Sequence, residues 1–338
     1  MMTVAPGPFS DEKTLVLDHL WRLDEAEAGE QTIIAFERSH AERHIYRGVH
    51  PFNSLTGPRQ LASTVWTPFK SSIGRVQRRL DILIAGYHDF EPGNSTWVVA
   101  MGQILGLFDS PLLGIPPTRK AVHLPFASAF RVSDGEIAET IEFLDVLSIM
   151  DQAGSNPYAA SQTAAQLMSP GPRTHDGVLT ERQAVEDGRK TLQLTKAMLD
   201  DLVDGGMCSP TSHLERFWHP DMNWFGPTGI GACLGFEGYQ RGHTRPFEER
   251  LEFIDAKDAR CVISEGQYAA YFWRPCLAMK STGGFLGLPP IDTPGEMRVV
   301  DLYRRHGQKL AENWIFIDML HFLKMLGEDT LETIIGNP

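Results

Sequence analysis

The stretch Phe285-Leu-Gly-Leu-Pro-Pro290 resembles an earlier one, Leu112-Leu-Gly-Ile-Pro-Pro117. The match continues at the same spacing without a gap. The aligned pairs are Phe130-Arg131 with Tyr303-Arg304, Ile137-Ala-Glu139 with Leu310-Ala-Glu312, and Asp145 with Asp318. A match sustained over such a length predicts an internal repeat, in which one fold occurs twice.

Two further anchors lie upstream and set the predicted domain bounds. His50-Pro51 aligns with His219-Pro220, and Pro68-Phe69 aligns with Pro246-Phe247. Between the copies, a stretch rich in Ala, Ser, Pro and Gly shows little periodicity, which is typical of a linker or a packing arm. The sequence therefore predicts a first domain over 1–154, a linker or arm over 155–190 and a second domain over 191–338.

Each copy reads as helices followed by strands. The spacing of Leu192 to Leu202 predicts an amphipathic helix, and residues 33–43 are predicted to be helical in the first copy. The short apolar runs Trp97–Met101 and Tyr268–Trp273 predict strands, and residues 297–304 and 310–318 predict a hairpin. The order predicts an α+β fold, with helices packed on a curved antiparallel sheet in each domain.

Composition limits the class of partner. The chain has 338 residues, of which 31 are Lys or Arg and 43 are Asp or Glu, so its formal net charge is −12. This charge disfavours nucleic acid and anionic membranes as partners, because phosphate binding needs a basic surface. No apolar run of about 18 residues is present, and the first residues do not resemble a signal peptide.

The cysteines and the common motifs give no sign of a metal or cofactor. The four cysteines are Cys208, Cys233, Cys261 and Cys276, and none is in C-x-x-C spacing. We interpret them as reduced thiols, which predicts a cytoplasmic protein. No metal-hydrolase, serine-hydrolase or phosphate-loop motif occurs, so we expect no cofactor and no metal.

Several motifs of the second copy together resemble one family. They occur in order as His219-Pro-Asp-Met-Asn-Trp224, Thr282-Gly-Gly-Phe-Leu-Gly-Leu-Pro289, Met297-Arg-Val-Val-Asp-Leu-Tyr-Arg304 and Glu312-Asn-Trp-Ile-Phe-Ile-Asp318. This pattern resembles the SnoaL-like polyketide cyclases, which belong to the NTF2-like superfamily of cone-shaped α+β barrels. The first copy matches more weakly, so the chain resembles a tandem member. The resemblance implies a cofactor-independent acid/base enzyme with an acidic residue in an apolar cavity.

Asp318 is the first candidate for that acid. By motif position it matches the family's catalytic aspartate, and the alternation of residues 312–318 places it on one strand face with Trp314 and Phe316. A carboxyl group beside aromatic rings is desolvated, which raises its pKa toward neutrality. The alternative is a helix N-cap, because a helix-like run follows and Asp is a strong capping residue.

His219, Asp221 and Trp224 form a second candidate group. A histidine near an aspartate can act as a base with an orienting partner. The alternative is a surface turn that begins at the His-Pro pair. We expect His219 to be catalytic and Asp221 and Trp224 to line the cavity.

Asp301, Tyr303 and Asn313 complete the polar candidates. Asp301 and Tyr303 share a strand face, and a tyrosine hydroxyl can stabilise an enolate oxygen. The alternative for Asp301 is an ion pair with Arg298 or Arg304. Asn313 is a candidate hydrogen-bond donor to a carbonyl, but alternation places it on the face opposite Asp318.

The remaining aromatic residues of the second copy are predicted to be wall or core. Tyr239, Tyr271, Trp273 and Trp314 are expected to line the cavity, whereas His243 is expected at the surface.

Three functions stay open at this point. The first is an aldol cyclase or isomerase acting on a small apolar carbonyl compound in the second domain. The second is a non-catalytic small-molecule binding or assembly protein. The third is a hydrolase or hydratase, which would need Glu312 or Asp301 as a second carboxylate. In each case the expected partner is a small apolar molecule, and a homodimer of the chain is plausible.

Overall fold

The computed structural model describes residues 7–88, 96–158, 169–257 and 259–336. The chain divides into two compact units. Unit 1 consists of the described residues within Met1–Asn156, Pro170–Gln183 and Leu331–Pro338. Unit 2 consists of the described residues within Pro157–Ser169 and Ala184–Thr330.

Unit 1 begins with two helices and continues with a six-stranded sheet. Its helices are α1 (Ser10–Glu25), α2 (Glu30–Glu37), α3 (Pro58–Leu61), α4 (Thr67–Ser72) and α5 (Val146–Gln152), with a π-helical turn at Ala62–Trp66 between α3 and α4. Its strands are β1 (His40–Arg47), β2 (Ser54–Thr56), β3 (Ile73–Tyr87), β4 (Thr96–Phe108), β5 (Ala121–Ser133) and β6 (Glu136–Leu144). The sheet order is β2-β1-β6-β5-β4-β3, in which only the β1–β6 pair is parallel.

Unit 2 has the same kind of order. Its helices are α6 (Val185–Asp204), α7 (Thr211–Phe217), α8 (Gly235–Tyr239), α9 (Arg245–Arg250) and α10 (Met319–Met325), with a π-helical turn at Gln240–Thr244. Helix α11 (Thr330–Gly336) follows in the chain and belongs to unit 1 from Leu331 onward. Its strands are β7 (Trp218–Phe225), β8 (Ala232–Leu234), β9 (Leu251–Ala256), β10 (Cys261–Glu265), β11 (Tyr268–Ser281), β12 (Ile291–His306) and β13 (Lys309–Ile317). The order is β10-β11-β12-β13-β7-β8, with β9 also paired to β11 and a parallel β7–β13 pair.

The predicted α+β class is confirmed. In each unit, helices precede a mostly antiparallel sheet, and the core lies on that sheet. The predicted hairpin is the β12–β13 pair, which turns through Gly307 and Gln308, and Gly307 adopts the positive φ that such a tight turn needs. The predicted amphipathic helix lies in α6, whose buried side chains include Thr191, Thr195 and Met198.

The predicted helix over residues 33–43 is found only as far as Glu37. Helix α2 ends at Glu37 and strand β1 begins at His40. Tyr46 on β1 is fully buried and pairs with Thr140 on β6, so tertiary burial of the strand overrides the local helical pattern.

The segment 155–190 is divided between the units. Residues 170–183 belong to unit 1, where the Leu83 N–H donates to the Gly177 carbonyl over 2.9 Å and the Leu179 N–H donates to the Leu83 carbonyl over 3.0 Å. This part packs as an arm on β3. Helix α6 of unit 2 already begins at Val185.

The alignment of His50 with His219 is wrong. In the β1–β6 ladder Tyr46 pairs with Thr140, and in the β7–β13 ladder Trp224 pairs with Asn313. Trp224 therefore corresponds to Tyr46. The following glycines agree, because a Cβ on Gly48 would meet the Tyr46 ring and one on Gly226 would meet the Trp224 ring. The shared His-Pro pair therefore shifted the alignment by nine residues, from an offset of 224 − 46 = 178 to one of 219 − 50 = 169.

Two further observations concern the cysteine thiols and the length and hydropathy of the helices. Cys208, Cys233 and Cys261 are free thiols, and the side chain of Cys276 lies outside the described residues. Within the part of the chain that the structure describes, no helix is long and apolar enough to cross a membrane.

Candidate functional site

One face of the unit 2 sheet collects most of the polar candidates. Tyr303 on β12 pairs directly with Asn313 on β13, and Asn313 pairs with Trp224 on β7. Asp301 pairs with Tyr271 on β11. Directly paired residues share a face, as do residues two apart on one strand, so all five side chains lie on the same side.

Asp301 is a buried carboxyl group with neutral donors around it. Its side chain is 7% exposed, and Asn313 Nδ2 donates to its Oδ1 over 3.3 Å. Burial raises the pKa of Asp301 to about 7, and hydrogen bonds from Asn313 and Tyr303 hold the pKa from rising further. The alternative interpretation of Asp301, an ion pair with Arg298 or Arg304, is not found, because Arg298 pairs with Asp318 and Arg304 with Glu312.

Two phenols beside Asp301 stay protonated. Burial raises the pKa of Tyr303 well above its usual value, and the nearby Asp301 carboxylate raises it further. Burial also raises the pKa of Tyr239 on α8, with Asp301 again adding to the shift. Both hydroxyls are therefore hydrogen-bond donors at neutral pH.

A stacked pair of rings lies next to these phenols. The His243 ring stacks on Trp224 with 4.1 Å between ring centroids, and the Tyr239 ring meets Trp224 edge-on at 5.8 Å. Trp224 Nε1 and His243 Nδ1 are buried and have no hydrogen-bond partner among the described residues. Desolvation lowers the pKa of His243 to about 3, so the imidazole is neutral.

The prediction of His243 at the surface is therefore wrong. The ring lies in the π-helical turn after α8 and contacts Trp224, Tyr239 and Phe247. The spacing of four residues between Tyr239 and His243 is the pattern in the sequence that indicates a shared helix face.

Tyr271 lies on the same sheet face, and its hydroxyl is hydrogen-bonded to helix α6. Its hydroxyl lies 2.7 Å from Thr195 Oγ1 on α6, and its ring stacks on Trp273 at 5.2 Å. Trp273 is 9% exposed. We call the group the Asp301 cluster, which consists of Trp224, Tyr239, His243, Tyr271, Asp301, Tyr303 and Asn313.

Asp318 does not lie in this cluster. It is the N-cap of α10, where its Oδ1 accepts from the His321 N–H over 3.2 Å, and its Oδ2 receives Arg298 Nη1 over 2.9 Å. Asp145 of unit 1 occupies the same cap position before α5 and accepts from the Ser148 N–H. Helix capping thus explains why an Asp stands at this position in both units, and this placement favours the alternative interpretation of Asp318.

Four other candidate residues lie outside the Asp301 cluster. His219 Nε2 is 2.8 Å from the His306 carbonyl at the exposed end of β7, and Asp221 is exposed. Trp314 is fully buried on the opposite face, where it stacks on Phe225. Glu312 shares that opposite face and is paired with Arg304.

The described residues show no metal-binding arrangement. Over ranges 7–88, 96–158, 169–257 and 259–336, no three His, Cys, Asp or Glu side chains are grouped so that they could hold a metal ion. The donor set of the Asp301 cluster is one carboxyl, one neutral imidazole and several neutral hydroxyl, amide and indole groups, which suits proton transfer and oxygen binding.

Comparisons with known proteins concern the fold. No protein-family model and no curated protein sequence matches the chain. Among solved structures, a protein assigned as a SnoaL-like polyketide cyclase from Jannaschia sp. CCS1 is similar at 20% identity, with a TM-score of 0.34, covering 43% of this chain and 94% of its own. One with the same assignment from Shewanella denitrificans OS-217 is 13% identical, with a TM-score of 0.34, covering 44% and 98%.

A third similar structure is an NTF2-like protein from Burkholderia xenovorans LB400. It is 12% identical, has a TM-score of 0.33 and covers 41% of this chain and 97% of its own. SnoaL-like and NTF2-like structures are thus among the matches, as the sequence resemblance leads one to expect. At these identities the likeness concerns the fold alone.

Proposed function

We propose that unit 2 is a cofactor-independent acid/base enzyme that acts on a small, largely apolar carbonyl compound, as an isomerase or aldol cyclase does. The observation that supports this most is Asp301, a buried carboxyl group whose pKa is raised by burial to about 7. A general acid/base works best when its pKa lies near the working pH.

The first step takes a proton from carbon. The Asp301 carboxylate accepts a proton from the carbon next to the substrate carbonyl, and the electron pair of the broken C–H bond moves to give an enolate. Asn313 and Tyr303 donate hydrogen bonds to Asp301 and orient it. The surrounding aromatic rings exclude water and bind the apolar part of the substrate.

The enolate oxygen needs donors of its own. The Trp224 Nε1–H is a buried donor without a partner among the described residues, and the neutral His243 is stacked on it. We assign Trp224 to the enolate oxygen. Protonated Asp301 then returns its proton, either to a different carbon or to the alkoxide formed when the enolate carbon attacks a second carbonyl.

The experiment measures proton exchange and needs no known substrate. Wild-type chain in D₂O is incubated with small ketones, and loss of the α-proton signal is followed by NMR. We expect the wild type to accelerate exchange above buffer, and Asp301→Asn to lose about 10²–10⁴-fold of that acceleration. Equal exchange by Asp301→Asn and wild type contradicts the proposal.

A matched control separates the two aspartates. Asp318→Asn keeps the capping geometry of α10 and lies outside the Asp301 cluster, so its exchange rate should equal that of the wild type. Loss of exchange in a folded Asp318→Asn chain would restore the sequence-based assignment.

A second candidate function is ligand binding without turnover. The carboxylate at the family's motif position, Asp318, has both oxygens engaged in the cap and the ion pair. Under this alternative, ketones bind and perturb the cluster but no α-proton exchanges. A hydrolase or hydratase is less supported, because Glu312 lies on the other sheet face, paired with Arg304.

We further infer that the two units are copies of one fold. The strand orders agree, each sheet has one parallel pair at the same place, and each has a π-helical turn before a Pro-Phe pair. A cytoplasmic location and a homodimer of such chains stay predictions from the sequence.

A further inference from the structure

Unit 2 contains a strained bend between β11 and β12, which the proposed mechanism does not use. Leu286 lies in the left-handed region at φ 51°, and Gly283, Gly284 and Gly287 also have positive φ. A bulky residue rarely adopts this conformation, because its Cβ crowds the following carbonyl oxygen. Such strain collects at the clamps and switch regions of proteins. We call residues 282–288 the Leu286 bend.

The same strained backbone occurs in unit 1. Leu113 and Gly114 have φ of 53° and 81°, and Leu286 and Gly287 have φ of 51° and 82°. These are the leucine and glycine of the repeated sequence motif. The left-handed leucine is therefore a property of the repeated fold. Unit 1 thus supplies a matched control for a substitution in the Leu286 bend.

A buried ring anchors the Leu286 bend to the rest of unit 2. Phe285 is 3% exposed, whereas Leu286 is half-buried and Gly284 is exposed. The Phe285 ring packs edge-on to Phe322 of α10, with 6.0 Å between ring centroids. Across the bend, the Gly284 N–H donates to the Leu288 carbonyl over 2.7 Å. Packing of the ring therefore offsets the backbone strain that favours opening.

A continuous row of rings links this anchor to the Asp301 cluster. Phe285 meets Phe247 of α9 edge-on at 5.6 Å, and Phe247 meets His243 edge-on at 4.5 Å. His243 stacks on Trp224 at 4.1 Å. Trp224 is fully buried, and its Nε1–H has no partner among the described residues. An outward movement of Phe285 therefore frees Phe247 and His243, which lie against the Trp224 indole.

A buried reaction site needs a route by which its substrate enters. Asp301 is 7% exposed and Trp224 is fully buried, so solvent does not reach them freely in the closed structure. The glycines of the Leu286 bend can absorb the backbone rotations of a hinge. His243 lies in a π-helical turn, a feature that is frequent at functional sites.

We propose that the Leu286 bend is a gate of the Asp301 cluster. Phe285 holds the gate closed, the left-handed Leu286 favours its opening, and opening admits water and substrate to Trp224. The proposal rests on the function proposed for unit 2, because it describes access to that site, but its test observes opening instead of catalysis.

The test follows hydrogen exchange in the wild-type chain and needs no substrate. In ¹⁵N-labelled protein, NMR measures exchange of the Trp224 Nε1–H, assigned by its loss in Trp224→Phe, and of the Gly284 amide. The Leu302 amide on the interior strand β12 reports global unfolding. We expect the first two to exchange faster than the Leu302 amide and to be nearly independent of low urea concentrations, because opening of a gate exposes little surface.

Two substitutions should move the gate in opposite directions. Phe285→Ala removes the anchor, so exchange of the Trp224 Nε1–H and the Gly284 amide should quicken by one common factor of at least about 10. If that variant fails to fold, Phe285→Leu replaces it and should act in the same direction. Leu286→Asn relieves the strain, because Asn adopts the left-handed region more readily, and should slow both about 5-fold. Leu113→Asn in unit 1 is the matched control and should change neither.

Three results would overturn the gate. The first is exchange of the Trp224 Nε1–H that follows the Leu302 amide in its dependence on urea, since the cluster would then open only on global unfolding. The second is a change at the Gly284 amide without one at Trp224, which would show that the bend opens without uncovering the cluster. The third is an equal effect of Leu113→Asn and Leu286→Asn, which would trace the slowing to overall stability. Absence of α-proton exchange with the expected pattern intact would contradict the proposed function of unit 2 and leave the gate itself in place.

Discussion

Asp301 and Asp318 show how two carboxyl groups of one hairpin and its following helix acquire different chemistry. Asp318 accepts hydrogen bonds from a backbone N–H and from the Arg298 guanidinium group. Asp301 receives only neutral donors in a buried setting, and its pKa rises to about 7. Alternation alone predicts which residues share a face, but not which carboxyl group receives a cation.

The raised pKa of Asp301 has a consequence for stability. Its unfolded value is 3.8, so between pH 3.8 and about 7 the folded state binds more protons than the unfolded state. The folded state therefore loses stability as pH rises through this range. We expect Asp301→Asn to be more stable than the wild type near pH 8 by about 1–3 kcal/mol, with a smaller difference near pH 4.

Urea unfolding of both proteins at the two pH values measures this difference. A variant that is less stable than the wild type near pH 8 would show that ionised Asp301 is better accommodated than its burial indicates. Gain of stability with loss of exchange in the same variant is the pattern expected of a catalytic group.

Trp224 provides a second test at the residue scale. Trp224→Phe keeps an aromatic ring to stack on His243 but removes the Nε1–H. We expect α-proton exchange to fall roughly 10- to 100-fold, because an enolate oxygen loses one donor. Tyr271→Phe is the control, since its hydroxyl is engaged with Thr195. A larger loss in Tyr271→Phe than in Trp224→Phe would contradict the assigned role of Trp224.

At the scale of elements, helix α10 depends on Asp318 for its start. The side chain satisfies a free backbone N–H of the first turn and pairs with Arg298. We expect Asp318→Ala to lower the free energy of unfolding by about 1–3 kcal/mol and Asp318→Asn to lower it by less. Chemical denaturation of both variants measures this, and equal stability of Asp318→Ala and the wild type would contradict the capping role.

The sequence predicts elements well where one pattern dominates. The β12–β13 hairpin and helix α6 have clear periodicity and are found as expected. The helix predicted over residues 33–43 is found up to Glu37 but not beyond, because β1 forms by burial against β6, which no local pattern encodes. The prediction for His243 is wrong because its position is set by a π-helical turn and by stacking on Trp224 of strand β7.

On the scale of the whole molecule, the units carry different sets of buried titratable groups. In unit 1, burial lowers the pKa of His19 to about 3, that of His44 to about 4 and that of His40 well below 6.5. Each must bind a proton on unfolding below about pH 6.5, so acid destabilises unit 1. In unit 2, His243 acts in that same direction and Asp301 opposes it. In unit 1, Glu142, whose pKa is raised by burial, opposes the three histidines.

Unit 1 should therefore lose more stability than unit 2 between about pH 7 and pH 5. All four cysteines lie in the second half of the chain, and Cys233 and Cys261 are buried in unit 2. Pulsed thiol labelling during urea unfolding thus reports unit 2, whereas far-UV circular dichroism reports both units. We expect the dichroism transition near pH 5 to gain a phase at lower urea that precedes thiol exposure. If both signals shift together instead, the three histidines do not set the acid stability of unit 1.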